Sequence, residues 1–249
     1  MRMWLKAIVV PIVIAVVAAG SSFATRADEG EVDVLLVLAA DVSRSVDDKK
    51  FKLQRQGYAA AIMDPRVIRA MTGGPKGRVG VIFVEWASEW EQRVVVDWTV
   101  IAGEQDARQV SGRVLEAARS YWGRTSISAA IDFSMLVLGR SPYFSSRRVI
   151  DISGDGTNNS GRDVTVARDA AIAQGVTING LVILSEVPLV TNPSHTHPPG
   201  GLTAYYANNV IGGPGAFVLE AESFETFGQL LVSKLVKEIA ELLLQAPPT

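Results

Sequence analysis

The stretch VLLVLAADVSRS, residues 34–45, sets an uninterrupted apolar run directly before an acidic and hydroxyl-rich segment. Residues 34–40 carry only Val, Leu and Ala, and such a short run is typical of a parallel strand that is covered on both faces. Asp41, Ser43 and Ser45 follow at alternate positions, at the point where a parallel strand would pass into its loop. Because open α/β sheets bind their ligands at that edge, we expect this strand to end in a binding site.

The alternate spacing of Asp41, Ser43 and Ser45 suggests what that site binds. In an extended segment, residues i, i+2 and i+4 project to one side, so the three oxygens can face one point. Carboxylate and hydroxyl oxygens suit a hard divalent cation, Mg²⁺, Ca²⁺ or Mn²⁺, rather than Zn²⁺ or copper. The alternative is that Asp41 caps the following helix and the serines are ordinary loop residues, since Asp and Ser are preferred there. The motif alone leaves both interpretations open.

The first 27 residues have the layout of a secretory signal peptide. Arg2 and Lys6 precede an apolar run over residues 7–19, and small residues follow. We expect residues 1–27 to be a signal peptide, cleaved after Ala24 or Ala27, and residues 28–249 to form a single domain. The run is short for a membrane span, which needs about 20 apolar residues. We therefore expect an exported protein with no stable membrane insertion after cleavage, and we favour the periplasm as its location.

Composition excludes several classes of protein. The chain has no cysteine, so neither a disulfide framework nor a thiol nucleophile is available. It has 24 Lys and Arg residues against 26 Asp and Glu, and residues 1–27 contain three of the basic residues and none of the acidic ones. The exported part is therefore mildly acidic and has no basic cluster, which argues against nucleic acid as a partner. No phosphate loop and no G-x-G-x-x-G after a strand is present, so we expect no nucleotide site.

Apolar periodicity along the chain alternates between strand and helix patterns. It predicts strands over 33–40, 77–87, 89–98, 147–153, 176–184 and 216–220, and helices over 47–63, 65–71, 104–121, 127–138, 163–174, 203–208 and 224–244. No helix separates the second and third strands, so we expect them to form a hairpin whose charged second strand lies at a sheet edge. Residues 185–201 are expected to form a long Pro-rich loop. This order predicts a Rossmann-like α/β fold: one doubly wound, mostly parallel sheet of about six strands with one antiparallel edge strand and helices on both faces.

Two later loops carry further oxygen donors. Thr125 lies in the segment GRTSIS, residues 123–128, directly before a helix, and Asp155 lies in a Gly-Asp-Gly turn directly after a strand. In a doubly wound sheet these loops can converge with the loop of residues 41–45 at one edge. For Asp155 alone, a plain turn residue is the alternative, because Gly-Asp-Gly is turn chemistry in its own right. Together, Asp41, Ser43, Ser45, Thr125 and Asp155 favour a metal site.

The ordered set of D-x-S-x-S, then Thr125, then Asp155 resembles the metal-ion-dependent adhesion site (MIDAS) of von Willebrand factor type A domains. The resemblance covers residues 32–244, and the segment YYANNVIGGPGAF, residues 205–217, further resembles a bacterial subgroup of exported single-domain proteins of uncharacterised function. The family implies a Mg²⁺-type ion held directly by Ser43, Ser45 and often Thr125, with Asp41 and Asp155 acting mostly through water. It also implies one coordination position left for an acidic side chain of a partner protein.

From this resemblance we expect an exported, metal-dependent protein-binding module of the adhesion type that engages an Asp or Glu of its partner. Mg²⁺ is the expected ion, with Ca²⁺ or Mn²⁺ as alternatives. An alternative function is a metal-dependent hydrolase of an exported anionic substrate, because a bound Mg²⁺ can orient water or phosphate. A structural component with a vestigial metal site is a third possibility.

Other chemistry-bearing residues favour ordinary roles. The chain has two histidines, His195 and His197, in one loop, so a Ser-His-Asp triad is not expected and we classify the protein as a non-enzyme. As a metal-binding pair the histidines lack a third ligand. Trp86 and Trp98 fall on strand patterns and are expected to pack in the protein. Trp90 and Trp122 are expected at the surface near the site.

Overall fold

The computed structural model describes residues 30–240. The expected signal peptide and its cleavage positions lie outside the described residues, as does the end of the expected C-terminal helix. The elements in chain order are β1 (Leu35–Asp41), α1 (Asp48–Met63), α2 (Pro65–Thr72), β2 (Val79–Trp86), β3 (Gln92–Ile101), α3 (Glu104–Glu116), α4 (Ile127–Gly139), β4 (Arg148–Gly154), α5 (Val164–Ile172), β5 (Val176–Ile183), α6 (Pro193–Thr196), α7 (Leu202–Asn209), β6 (Val218–Ala221) and α8 (Phe227–Ala240).

The strands form one sheet in the order β3-β2-β1-β4-β5-β6. Every neighbouring pair is parallel except β2 with β3, which is antiparallel. The antiparallel strand lies at one edge, as the hairpin prediction requires, and the predicted fold class is confirmed. Strand β1 occupies an inner position, so both of its edges are hydrogen-bonded to neighbouring strands.

Helices cover both faces of the sheet and divide the core into two layers. On one face, Leu36 and Leu38 of β1 pack in a cluster with side chains from α1, α2, α3 and α8. On the other face, Val37 and Ala39 pack with α4, α5 and α7. All seven residues of β1 are buried, which is why this strand has no polar alternation in its sequence. Within residues 30–240, no helix has the length and apolarity needed to cross a membrane.

Helix α3 ends at Glu116, five residues before the expected end at Tyr121. The chain turns extended at Ala117, where ψ is 131°. Beyond it, the guanidinium of Arg119 donates to the carbonyl oxygens of the loop after β1, and the Ser120 N–H donates to Glu85. These contacts require a non-helical segment, so tertiary hydrogen bonds override the helical pattern. The expected loop of residues 185–201 also contains the short helix α6.

Helices α1 and α8 approach at backbone distance where two glycines face each other. A Cβ placed on Gly57 would lie 2.6 Å from Cδ1 of Phe227, and a Cβ on Gly228 would lie 3.1 Å from the Gly57 Cα. Real Cβ atoms do not tolerate the first of these distances without a shift of the aromatic ring. The absence of side chains at both positions therefore sets how closely the two helices pack.

A buried ionic network joins α8 to the middle of the sheet. The Nζ of Lys234 lies 2.6 Å from Oδ1 of Asp151 on β4, and it also contacts Oε1 of Glu238. The Asn179 amide donates to Oε1 of Glu238 at 3.0 Å. Burial, followed by the Asp151 charge, raises the pKa of Glu238 to about 7, and burial also raises the pKa of Asp151. One ammonium thus faces two carboxylates inside the protein.

Candidate metal centre

The loop after β1 is fixed on both sides by hydrogen bonds. The backbone N–H of Ser43 donates to Oδ1 of Asp41 at 2.7 Å, which turns the chain directly after the strand. The Gln54 amide on α1 donates to the Asp41 carbonyl at 3.1 Å. From the segment after α3, Arg119 Nη2 donates to the carbonyls of Val42 and Ser43 at 2.6 and 2.9 Å. The alternating side chains therefore start from a rigid backbone.

The segment that carries Thr125 is held at the same edge of the sheet. The Ser126 N–H donates to the carbonyl of Ala87, the residue after β2, at 2.8 Å. The Arg124 N–H donates to Ser88 Oγ at 2.6 Å. Ser126 also caps α4 by accepting from the Ala129 N–H. Thr125 is thus placed over the ends of β2 and β1.

The structure brings all five predicted site residues together. Thr125 Oγ1 donates to Ser43 Oγ at 3.0 Å, and Ser43 Oγ lies 3.2 Å from Ser45 Oγ. Ser45 Oγ donates to Oδ1 of Asp155 at 2.5 Å. The Asp41 carboxyl completes the cluster and is close enough to Asp155 for their charges to interact. Apart from Ser45, which is partly exposed, these side chains are buried.

The ionised form of the Asp41 carboxyl is poorly compensated by the surrounding protein. Its Oδ2 is buried and has no hydrogen-bond partner among the described residues. Burial raises the pKa of Asp41 to about 8, and the negative charge of Asp155 contributes to the rise, while hydrogen bonds from Ser43 and the charge of Arg119 oppose it. Two buried carboxylates with an unpartnered oxygen form an environment that a bound cation would stabilise.

The donor set fits a hard divalent cation. Cis ligands of an octahedral ion with bonds of about 2.1 Å lie about 3 Å apart, and the successive hydroxyl oxygens of Thr125, Ser43 and Ser45 are separated by 3.0 and 3.2 Å. Within residues 30–240, no three His, Asp or Glu side chains are grouped so as to hold a metal ion. The ligands here would therefore be hydroxyls supported by two carboxylates, which are all-oxygen donors.

Lys50 on α1 places a positive charge at the edge of this cluster. Its Nζ donates to the Ser45 carbonyl at 3.0 Å and lies 3.5 Å from Oδ2 of Asp155. The side chain is a quarter exposed, so the ammonium interacts with both the buried carboxylate and the solvent. No motif in the sequence marks Lys50 as part of the site.

His195 also belongs to the site, although the sequence analysis assigned it to a Pro-rich loop with no role. Only 3 % of the residue is exposed. Its Nε2 lies 3.2 Å from Thr125 Oγ1, and its Nδ1 lies 3.2 Å from Nδ2 of Asn159 and 3.3 Å from Oγ1 of Thr157. Burial lowers the pKa of His195, with the Asp155 charge opposing. The available signal was topological, because this loop follows β5 at the same sheet edge as the site.

The aromatic residues divide largely as expected. Trp86 is fully buried, whereas 87 % of Trp90 and 52 % of Trp122 are exposed. The guanidinium of Arg119 stacks over the Trp122 ring at 3.5 Å from the ring centroid. Trp122 directly precedes the segment that carries Thr125, so an apolar surface lies beside the candidate centre.

Residues 31–243 match a family model described as "Protein of unknown function (DUF1194)". No curated protein matches the chain. Among solved structures, the fold is similar to proximal thread matrix protein 1 from the mussel byssus, with a TM-score of 0.58 and 15 % identity over 84 % of this chain and 46 % of that chain. A second structure of the mussel protein, with a zinc-occupied MIDAS motif, has a TM-score of 0.57 and 16 % identity over 83 % of this chain and 45 % of that chain.

Two bacterial structures are similar as well. A von Willebrand factor type A protein from Catenulispora acidiphila has a TM-score of 0.54 and 16 % identity, over 84 % of this chain and 43 % of that chain. BatB from Bacteroides thetaiotaomicron has a TM-score of 0.53 and 15 % identity, over 82 % of this chain and 98 % of that chain. The chain spans about half the length of the mussel protein. At these identities the comparisons show a von Willebrand A-type fold.

Proposed function

The chain belongs to the DUF1194 family of proteins of unknown function, and we propose that it is a metal-dependent binding module of the adhesion type. In this proposal a divalent cation at the candidate centre engages an acidic group, an Asp or Glu, of a partner protein. The observation that carries the proposal is the buried Asp41 Oδ2, which has no partner among the described residues, in a cluster whose successive hydroxyl oxygens are 3.0 and 3.2 Å apart.

In the proposed site, the hydroxyls of Ser43, Ser45 and Thr125 hold the cation, and Asp41 and Asp155 balance its charge, mostly through bound water. When bound, the cation supplies an electrophilic position that accepts a carboxylate. Because few carboxylates would ligate the ion directly, its charge stays available to an incoming anion. Mg²⁺ is the proposed ion, as the resemblance to the von Willebrand A family implies, with Ca²⁺ or Mn²⁺ as alternatives. The zinc-occupied MIDAS of the mussel protein supports a divalent cation in a site of this kind.

We also propose that residues 1–27 are a signal peptide and that residues 28–249 function as a single exported domain in the periplasm. The basic residues and the short apolar run before residue 28 support export. The mussel protein of similar fold is a thread matrix protein of the byssus, which supports an exported location.

A pull-down from cell-envelope extract tests the binding function. The full-length protein is used as bait with Mg²⁺ and with chelator, beside Asp41→Ala and the matched control Asp48→Ala, which removes an exposed carboxylate from α1. We expect a partner that is retained only with Mg²⁺, and only by the wild type and the control. Retention that ignores both chelator and Asp41→Ala would refute the proposal. Turnover of a phosphoester that is lost in Asp41→Ala would support the hydrolase instead.

A further inference from the structure

We infer that His195 is a positioning residue of the cation site, which donates its Nε2–H to Thr125 Oγ1 and is not itself a metal ligand. This inference rests on the proposed function, because it concerns how the chain prepares the hydroxyl that would bind the cation. The D-x-S-x-S, Thr and Asp pattern contains no residue of the loop after β5. The inference adds His195 of that loop to the site.

The His195 ring lies where a side chain at position 156 would lie, so only glycine fits at that position. A Cβ on Gly156 would lie 2.1 Å from Cε1 and 2.2 Å from Nε2 of the ring. The φ of Gly156 is outside the left-handed region, so the backbone itself tolerates other residues, and the imidazole explains the missing side chain. The His195 carbonyl also accepts the Thr157 N–H at 2.9 Å. The ring is therefore packed against the turn that carries Asp155.

Asn159 determines which ring nitrogen carries the proton. Its Oδ1 accepts the backbone N–H of Thr125 at 3.0 Å, so its Nδ2 faces Nδ1 of His195, 3.2 Å away. An amide NH₂ group only donates, and Nδ1 must therefore accept. In a neutral imidazole the proton then lies on Nε2, which points at Thr125 Oγ1 at 3.2 Å.

This arrangement has two consequences for the site. Thr125 Oγ1 accepts from His195 and donates to Ser43 Oγ, which holds the two oxygens 3.0 Å apart. The second lone pair of Thr125 Oγ1 stays free to bind a cation. The Nε2 lone pair is absent, so the ring adds no nitrogen ligand and the donor set stays all-oxygen. Oxygen donors favour hard ions, whereas imidazole favours zinc, copper and nickel.

Mn²⁺ binding to the full-length protein, measured by the EPR signal of the free ion, tests the positioning role. Loss of a group that orients a metal ligand typically weakens metal affinity about 10- to 100-fold, and we expect that loss in His195→Leu. His195→Gln keeps an N–H donor and should stay within a few-fold of the wild type. His197→Leu, which alters an exposed histidine two residues away, should bind as the wild type does.

Gly156→Ala tests the contact independently of any change to the ring. We expect it to weaken Mn²⁺ binding in the wild type by displacing His195, and to have no further effect when combined with His195→Ala. Additive losses in the double variant would overturn the inference, because they would mean that Gly156 acts without the histidine.

Asn159→Asp tests the tautomer. An Asp keeps an acceptor for the Thr125 N–H but now accepts from Nδ1, which moves the ring proton off Nε2. Asn158→Asp is the control, because it adds the same charge one residue earlier and leaves His195 untouched. With Cu²⁺ as the probe and His197→Leu as the background in every variant, we expect nitrogen superhyperfine coupling from imidazole in the EPR spectrum of Asn159→Asp, and none without that substitution or in the control.

The outcomes separate the inference from the proposed function. Imidazole coupling in the wild type that His195→Leu removes would make His195 a ligand and overturn the inference. Equal Mn²⁺ affinity in the wild type and His195→Leu would overturn it too, while leaving metal-dependent binding intact. Absence of Mn²⁺ binding by the wild type would overturn both.

Discussion

Replacing Asp41 by Asn should stabilise the cation-free protein while removing its response to metal. In Asp41→Asn, the side-chain amide oxygen would still accept the Ser43 N–H that now donates to Oδ1 at 2.7 Å. The substitution removes one of the two buried carboxylates and puts an amide nitrogen where Oδ2 has no partner among the described residues. Stability and cation binding therefore make opposite demands on this position.

The magnitude follows from the pKa of Asp41, which burial and the Asp155 charge raise from 3.8 to about 8. At pH 7 a shift of this size destabilises the folded state by about 4 kcal/mol relative to an unshifted carboxyl. Because an amide also loses hydration on burial, we expect a net gain of roughly 2–4 kcal/mol in Asp41→Asn, or a rise in Tm of about 5–10 °C. The folded-state pKa exceeds the unfolded one, so the penalty is absent below about pH 4 and complete above about pH 8.

Thermal unfolding in chelator at pH 5, 7 and 8.5, repeated with Mg²⁺, measures both effects. We expect the advantage of Asp41→Asn in chelator to grow with pH, because the wild-type penalty grows with pH. Saturating Mg²⁺ should raise the Tm of the wild type and leave that of the variant nearly unchanged. A variant that is less stable than the wild type in chelator at pH 8.5, or that Mg²⁺ stabilises equally, would refute the reasoning.

Three further predictions concern the core and the rim of the site. Glu238→Gln removes one of the two carboxylates beside Lys234, and burial raises the pKa of Glu238 to about 7. Urea titrations should therefore show that the free energy of unfolding rises by about 2 kcal/mol at pH 8, and that this gain fades by about pH 4.5. Lys234→Met should instead lower the free energy of unfolding by about 3–5 kcal/mol. Gly57→Ala should lower the free energy of unfolding by about 1–3 kcal/mol in chemical denaturation. In the control Gly112→Ala the new Cβ meets nothing within 4 Å, and the free energy of unfolding should rise by up to about 1 kcal/mol. Lys50→Met should tighten Mn²⁺ binding several-fold, because the ammonium repels the cation; weaker binding would contradict this role.

The sequence predicts the sheet and the meeting of the five oxygen-bearing residues because both depend on local patterns. The continuous apolar run of β1 indicates burial on both faces, and the missing helix between β2 and β3 predicts the antiparallel edge. Asp41 ends one parallel strand and Asp155 follows another, so the topology alone brings them to one edge. That they form a cation site remains a prediction.

The remaining features depend on partners that are distant in the chain. Helix α3 stops at Glu116 because Arg119 finds carbonyl oxygens in the loop after β1, and no local signal marks that preference. Glu85 lies fully buried within an apolar strand, where it contacts Arg55 of α1. His195 reaches the site through the packing of its loop against Gly156 and through the hydrogen bond from the Thr157 N–H to its carbonyl. Side-chain pairing of this kind has no periodicity for sequence analysis to detect.

The contact between Lys234 and Asp151 has a consequence for the order of folding. Asp151 lies in β4, in the middle of the sheet, while its ammonium partner arrives on α8, some eighty residues later in the chain. Until that helix docks, Asp151 lacks its counter-charge and the apolar face of the sheet that α8 covers stays open to solvent. Sheet closure and docking of the last helix are thereby linked in one cooperative step, so a chain truncated before Lys234 would remain open to proteolysis rather than accumulate as a stable fragment.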